Sequence, residues 1–180
     1  RLLFHLFYGF GRWRFIDRPA AIDWLLTDSR SLSFPEETLF FALPTKRNDG
    51  TRYIRDLYAR GVRNFVVSEE RLNEVGIGEP KVEDAARQET ADTAAMQPAF
   101  NLLVVPNPLK ALQKLAEQHR DRFQIPVIGI TGSNGKTIVK EWLHQLLSPE
   151  RMITRSPRSY NSQIGVPLSV WQMSEQTELA

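Results

Sequence analysis

A glycine-rich segment that ends in lysine and threonine carries the clearest chemical signal in this sequence. Residues 131–137 read TGSNGKT, between a short apolar run at 127–130 and a stretch with apolar residues at helical spacing. Glycines let backbone N–H groups turn toward phosphate oxygens, and the start of a helix adds its partial positive charge. We therefore predict a buried strand at 127–130, a phosphate-binding loop, and a helix that opens at Lys136.

Two side chains of this loop have distinct predicted roles. Lys136 is long enough to reach the β- and γ-phosphates of a nucleotide, and the Thr137 hydroxyl is a ligand for Mg²⁺. The usual phosphate loop has a glycine where this sequence has Ile130, so the spacing is a variant. The alternative interpretation is a glycine-rich turn with a surface lysine, which would not require all of these residue types together.

The variant TGSNGKT resembles the ATP loop of the Mur ligases. The resemblance implies ATP and Mg²⁺ as cofactors, Lys136 as the catalytic residue and Thr137 as the metal ligand. The residues that it implies for ATP binding are Gly132, Ser133, Asn134, Gly135, Lys136 and Thr137.

The composition is that of a globular protein. The chain has 180 residues, of which 42% are hydrophobic and 24% charged, and its net charge of +2 is too small to argue for a nucleic-acid partner. The absence of cysteine excludes disulfides and thiolate chemistry and allows a cytoplasmic location, which we predict. No apolar run approaches the roughly 20 residues that a membrane-spanning helix requires.

The first residues match no targeting signal. Residues 1–16 are crowded with apolar and aromatic side chains, but basic residues follow the apolar stretch and no small-residue cleavage site is present. We expect a helix or strand there and leave the role of 1–21 open. The sequence begins at Arg1 and ends at Ala180 without a closing element, so we expect a fragment of a longer protein.

Residues 22–106 are predicted to form a small α/β domain. Apolar runs predict strands at 24–27, 38–43, 64–67 and 101–105. Thr51 is the predicted cap of a helix that ends before Gly61. The polar stretch 69–99 has no lasting apolar period, so we predict a long connection with marginal helix.

The order of motifs in this domain resembles the N-terminal domain of the Mur ligases. The shared features are Asp28-Ser29-Arg30, the run LFFAL at 39–43, Asp49-Gly50 and Gly61-Val62. In that family the domain holds the UDP part of a sugar nucleotide, so the resemblance implies that Ser29 and Arg30 bind substrate. The alternative is a structural turn with a local ion pair between Asp28 and Arg30, which would add little stability.

Residues 107–180 are predicted to be the first part of an ATP-binding domain with a mostly parallel sheet. Asn107 is a good helix cap and Pro108 suits the first turn, while His119 is expected at the edge of the apolar face of that helix. A short strand is predicted at 152–154, and a turn and helix at 164–171. The three histidines of the sequence are scattered and form no metal-ligand spacing.

The run IGVPL at 164–168 extends the resemblance. Mur ligases that add a dipeptide carry a motif like NNEIGVPL, and the resemblance implies substrate binding by Asn161. Ser162 and Gln163 depart from the commoner Asn-Glu at the next two positions. The same stretch also resembles a subgroup in which an alanine racemase is fused downstream. Nearby basic residues either face anionic groups or form a solvated loop; they are Arg151, Arg155 and Arg158.

The resemblance covers 22–180 and implies an ATP-dependent amide ligase of peptidoglycan precursor synthesis. Its implied substrates are UDP-N-acetylmuramoyl-tripeptide and D-alanyl-D-alanine, joined through an acyl phosphate. The family places a metal-binding glutamate and the base-recognition residues later than Ala180. We therefore expect this chain alone to bind parts of the substrates without catalysing the reaction.

Three alternatives stay open. A folate or cyanophycin ligase would share the loop but would lack the Asp28-Ser29-Arg30 domain and the IGVPL run. A P-loop kinase or GTPase would usually show the stricter spacing, against which Ile130 argues. A nucleotide-binding protein without activity, or an inactive fragment, is the third alternative.

Overall fold

The computed structural model describes residues 11–14, 20–44, 49–77, 100–157 and 160–180. The chain divides into two compact units, Arg1–Ala111 and Leu112–Ala180. Of the predicted N-terminal segment and the predicted connection at 69–99, residues 1–10, 15–16 and 78–99 lie outside the described residues. In the described residues, no helix has both the length and the apolarity needed to cross a membrane.

The first unit is built on a five-stranded sheet with the order β1-β5-β4-β3-β2. Strands β2 to β5 run parallel, and β1 pairs antiparallel with β5 at the edge. The predicted α/β fold and its four strands are confirmed, with slightly different ends. The strands are β1 (Arg12–Arg14), β2 (Trp24–Leu26), β3 (Thr38–Phe41), β4 (Asn64–Ser68) and β5 (Asn101–Val105).

The three central strands of this sheet are buried along their whole length. A parallel sheet covered on both faces gives continuous apolar runs, which explains the sequence signal. Phe40, Phe65 and Leu102 pack in one cluster with Ile54 and Leu57 of helix α1 (Ile54–Ala59). The core therefore holds the ends of these strands in place.

The start of α1 differs from the prediction. A 3-10 turn, Gly50–Tyr53, precedes the helix, and the Asp49 carboxylate accepts the Thr51 N–H at 2.9 Å. The prediction of Thr51 as the cap is wrong because the acid two residues earlier satisfies that N–H group. Partial burial raises the pKa of Asp49, but the hydrogen bonds from Thr51 and the charge of Arg71 outweigh it and lower the pKa overall.

The second unit contains three helices: the last nine residues of α2 (Pro108–Arg120), then α3 (Lys136–Leu147) and α4 (Gly165–Val170). The predicted cap of α2 is confirmed, since the Asn107 side chain accepts the Lys110 N–H at 3.0 Å. The predicted helix at 164–171 and the helix that opens at Lys136 are confirmed as well.

Two strand predictions in this unit are wrong. Residues 127–130 form no strand, and Val127 and Ile128 are 49% and 47% exposed. Residues 152–154 contribute only an isolated parallel bridge between Ile153 and Leu179. A strand needs a sustained ladder, and here the pairings are few, such as the Ile128 N–H donating to the Ala180 carbonyl at 2.8 Å.

His119 is part of the core and not at its edge, so that prediction is wrong. Its side chain is buried, and Nε2 lies 2.9 Å from the Met173 carbonyl oxygen. The ring also packs against Phe123 and Trp171, with centroids 4.9 and 4.7 Å away. The Met173 carbonyl provides a hydrogen-bond partner for Nε2 of this buried imidazole, which reduces the cost of its burial.

Candidate functional site

The glycine-rich loop owes its path to two backbone conformations. Gly132 and Gly135 have φ values of +142° and +78°, which residues with a side chain rarely adopt. Gly135 directly precedes the first helical residue, Lys136, and supplies no side-chain cap. The first N–H groups of an α-helix have no acceptor within the helix, so this terminus attracts anions.

The loop residues are accessible to a ligand. Residues 131–135 are exposed and Lys136 is half-buried. The Lys136 Nζ donates a hydrogen bond to the Gly132 carbonyl, which places the ammonium group at the loop itself. An ammonium group and helix N–H groups at one place are the elements of a phosphate site.

A cavity of about 660 Å³ lies beside this loop, within the second unit. Gly132, Lys136, Thr137 and Asn161 line it, whereas Ser133, Asn134 and Gly135 lie outside its lining. Its volume falls in the range typical of small-molecule sites. The structure therefore brings the predicted lysine, threonine and asparagine to one cavity. The cationic residues that line it are Arg120, Lys136, Lys140 and Arg155.

The segment that carries Asn161 is fitted closely to α4. A Cβ added at Gly165 would lie 2.9 Å from Tyr160 Cα, so this position requires glycine. The Ser162 hydroxyl accepts the Gly165 N–H at 2.9 Å, and the Gln163 carbonyl accepts from Gln113 at 3.3 Å. The two residues that depart from the family motif thus have structural contacts of their own, and Asn161 is exposed.

The acidic residue of the helix that follows the loop is ion-paired. Glu141 on α3 lies 3.2 Å from the Lys140 ammonium and also pairs with Arg155. The hydrogen bond from Lys140 lowers the pKa of Glu141 below its usual value. Glu141 is therefore a charged partner of two cations, which argues against a role as a metal ligand. Of the other basic residues that precede the IGVPL run, Arg151 is exposed and Arg158 lies outside the described residues.

The residues present fit Mg²⁺ only as a nucleotide-bound ion. Across the described ranges, no group of three His, Cys, Asp or Glu side chains could hold a metal. Mg²⁺ usually takes one or two protein oxygens and completes its shell with phosphates and water. The Thr137 residue, in the first turn of α3 and on the cavity wall, is suited to supply one such oxygen.

Ser29 and Arg30 belong to the first unit and form a local structure there. The Asp28 carboxylate accepts the Arg30 N–H at 3.1 Å and pairs with its guanidinium at 2.6 Å. The hydrogen bond from the Arg30 side chain lowers the pKa of Asp28. Ser29 is buried and its carbonyl accepts from Arg60 at 3.1 Å. The local ion pair of the alternative interpretation, a structural turn, is thus present. Substrate binding by Ser29 and Arg30 stays a prediction.

Sequence reasoning missed Lys140 and the close approach at Gly165. Lys140 stands four residues after Lys136, which places both on one helix face. That spacing was the available signal. Tyr160 lies on a loop and Gly165 at the start of a helix. No local sequence pattern predicts the contact between them.

Comparison with known proteins gives a consistent result. The model of the Mur ligase middle domain matches residues 130–180. This stretch of the chain is thus similar to the middle domain of the Mur ligases. The chain is 30% identical over 162 residues to the UDP-N-acetylmuramoyl-tripeptide–D-alanyl-D-alanine ligase of Bacillus subtilis (strain 168), covering 89% of the chain and 30% of that protein. It is 33% identical over 156 residues to the enzyme of the same name from Synechocystis, covering 87% of the chain and 29% of that protein.

Solved structures agree with this on the fold. A structure of UDP-N-acetylmuramoylalanyl-D-glutamyl-2,6-diaminopimelate–D-alanyl-D-alanyl ligase from Acinetobacter baumannii superposes with a TM-score of 0.71 at 24% identity, over 97% of the present chain and 34% of that protein. A MurF ligase from Thermotoga maritima in complex with ADP gives 0.59 at 24% identity, over 86% of the chain and 30% of that protein. The chain spans about 30% of the length of the curated proteins it matches.

Proposed function

We propose that this chain supplies the sugar-nucleotide domain and the phosphate loop of an ATP-dependent ligase that joins D-alanyl-D-alanine to UDP-N-acetylmuramoyl-tripeptide. The observation that carries the proposal is the glycine loop that enters α3 at Lys136 beside a cavity that Asn161 also lines. Several relatives bear the name of this enzyme, and one solved relative was determined with ADP.

The proposed division of labour follows the two predicted domains. Residues 22–106 hold the UDP sugar through Ser29 and Arg30, and residues 107–180 hold ATP through the loop at 132–137. Asn161 contacts the substrate from the segment that precedes α4. The support for this division is the order of the motifs and the presence of Lys136, Thr137 and Asn161 around one cavity.

The proposed chemistry forms one amide bond for each ATP. A carboxylate oxygen of the tripeptide attacks the γ-phosphorus, and the bond to ADP breaks to give an acyl phosphate. The amine of D-alanyl-D-alanine then attacks the acyl carbon, loses a proton and expels inorganic phosphate. Lys136 and the first N–H groups of α3 neutralise charge on the transferred phosphoryl group, where positioning and electrostatics dominate. Thr137 would hold a bound Mg²⁺, which would supply neutralisation of the phosphate charge.

Two further parts of the proposal rest on the sequence. We propose a cytoplasmic location, which the absence of cysteine allows. The stretch before and through IGVPL supports a downstream fusion to an alanine racemase. Detection of one gene product that carries both activities would test the fusion.

Calorimetric titration of the chain with Mg-ATP, and separately with UDP-N-acetylmuramoyl-tripeptide, tests the proposal. Both ligands are expected to bind, and Lys136→Ala is expected to weaken Mg-ATP at least about tenfold, since it removes a charged hydrogen-bond donor from the site. The matched control is Lys114→Ala, because Lys114 is half-exposed on α2 and pairs only with Glu117 among the ion pairs of the described residues.

The sugar nucleotide distinguishes the proposal from a generic nucleotide-binding protein. Its binding is expected to fall in Ser29→Ala and Arg30→Ala and to stay unchanged in Lys136→Ala. Binding of Mg-ATP without any binding of the sugar nucleotide would contradict the ligase proposal and favour another P-loop class. Unchanged Mg-ATP affinity in Lys136→Ala would contradict the site.

A further inference from the structure

The cavity-lining face of α3 carries a second lysine that the proposed phosphate chemistry does not use. Lys140 follows Lys136 by one helical turn, so both line the same cavity. The Lys140 side chain is only 12% exposed, compared with 50% for Lys114 on α2. A nearly buried ammonium group beside a ligand cavity requires a reason, because removal of a cation from water is unfavourable unless it is well paired.

Lys140 links α3 to another segment that lines the cavity. Its Nζ donates to the Ser156 carbonyl at 2.7 Å and lies 3.2 Å from the Glu141 carboxylate. Glu141 in turn pairs with Arg155, the residue before Ser156. Two neighbouring residues of α3 therefore hold two neighbouring residues of the segment at 154–156.

The segment held by Lys140 leads toward the proposed substrate contact. Residues 153–156 line the cavity, and Asn161 follows a few residues later, where Gly165 fits against Tyr160. Lys136 is thus bonded to the phosphate loop and Lys140 to the segment that precedes Asn161, and both contacts lie at one cavity. An apolar residue at this position would pack without the cost of desolvating a charge. The stability gained by packing therefore does not by itself explain a lysine here.

We propose that Lys140 is a positioning residue that fixes residues 154–156 against the helix of Lys136 and so sets the shape of the cavity for Mg-ATP. The identity of the ligand rests on the proposed function, whereas the attachment of the segment does not. Lys140 acts through Ser156 and Glu141, and the phosphate contact itself belongs to Lys136.

The test compares Lys140→Met with Lys140→Arg and with the control Lys114→Met. Methionine keeps most of the stem and removes the donor, whereas arginine restores a donor and a charge. Hydrogen exchange followed by mass spectrometry, without ligand, is expected to show about tenfold faster exchange at 152–157 in Lys140→Met, since a hydrogen bond from a charged group is lost. Exchange within α3 is expected to stay as in the wild-type chain.

Calorimetry with Mg-ATP provides the second readout. We expect about tenfold weaker binding in Lys140→Met, recovery to within about twofold in Lys140→Arg, and no change in Lys114→Met. Glu141→Gln keeps an oxygen acceptor for Lys140 and is expected to give a smaller loss, which provides a milder variant should Lys140→Met unfold.

The outcomes separate this proposal from the proposed function. Unchanged exchange at 152–157 in Lys140→Met and Glu141→Gln would overturn the positioning role. A lower melting temperature with unchanged Mg-ATP affinity would also overturn it, because it would leave Lys140 a purely structural residue. Failure of the wild-type chain to bind Mg-ATP would contradict the proposed function, and the exchange experiment would still decide whether Lys140 holds the segment.

Discussion

The two units of this chain differ in how far their secondary structure is buried. The first unit buries three parallel strands completely, and its turns follow from a closed core. The second unit contains nine of the eleven exposed large apolar side chains of the described residues, and none of the α3 residues is buried. The glycine loop therefore depends on local rules, such as positive φ at Gly135 and helix initiation at Lys136, more than on packing. The first unit is organised around a buried sheet, and the second leaves its glycine loop exposed.

The largest expected contrast between the units is in stability. Phe65→Ala removes a fully buried ring and is expected to lower the free energy of unfolding by about 3–5 kcal/mol, through lost burial and a residual cavity. Trp142→Ala on α3, where the indole is 67% exposed, is expected to change it by less than about 0.5 kcal/mol. Urea denaturation followed by circular dichroism measures both. An equal loss in Trp142→Ala would mean that α3 is covered in solution.

The sequence predicted the first unit well because its signals are local. The buried strands of a parallel sheet are continuous apolar runs, and β3, β4 and β5 were found for that reason. The same rule failed at 127–130 in the second unit. The apolar run is present there, but other residues of the second unit provide only single pairings. An apolar run indicates that a segment can be buried, and the partners that bury it decide whether it becomes a strand.

The site was predictable to the extent that it is contiguous. The helix start at Lys136 followed from glycine, lysine and apolar spacing within one short segment. The attachment of Ser156 by Lys140 joins residues 16 positions apart, and the burial of His119 depends on a carbonyl 54 positions away. Contacts over such separations depend on tertiary structure, which residue types and spacing alone do not specify.

The second prediction tests whether the segment that carries Asn161 is held by close packing. Gly165→Ala places a methyl group 2.9 Å from Tyr160 Cα, and we expect a loss of about 1–3 kcal/mol because backbone must move. Gly129→Ala is the matched control, since nothing lies within 4 Å of its added Cβ and its φ is not in the left-handed region. Thermal unfolding and Mg-ATP titration of both variants make the comparison. Equal behaviour of the two would show that the Asn161 segment is as loosely held as the region before the loop.

The smallest expected effect on stability comes from the Asp28–Arg30 pair, an exposed ion pair of the first unit. The hydrogen bond from the Arg30 side chain holds the pKa of Asp28 below its usual 3.8. Because the folded-state pKa is lowered, the pair stabilises the fold above about pH 4, and this contribution is lost as the pH falls through the folded-state pKa. Arg30 is 87% exposed, so the contribution to stability is small.

The variants Arg30→Met and Arg55→Met sharpen this last point. NMR titration of the Asp28 carboxyl is expected to show its pKa rise toward 3.8 in Arg30→Met, because the hydrogen bond is gone. Arg55, which donates to the Gly76 carbonyl at 3.1 Å, is the control and should leave that pKa unchanged. If Arg30 also binds the sugar nucleotide, affinity falls in Arg30→Met alone. A shifted pKa with unchanged affinity would make the turn structural, and the first unit would then need another anchor for its substrate.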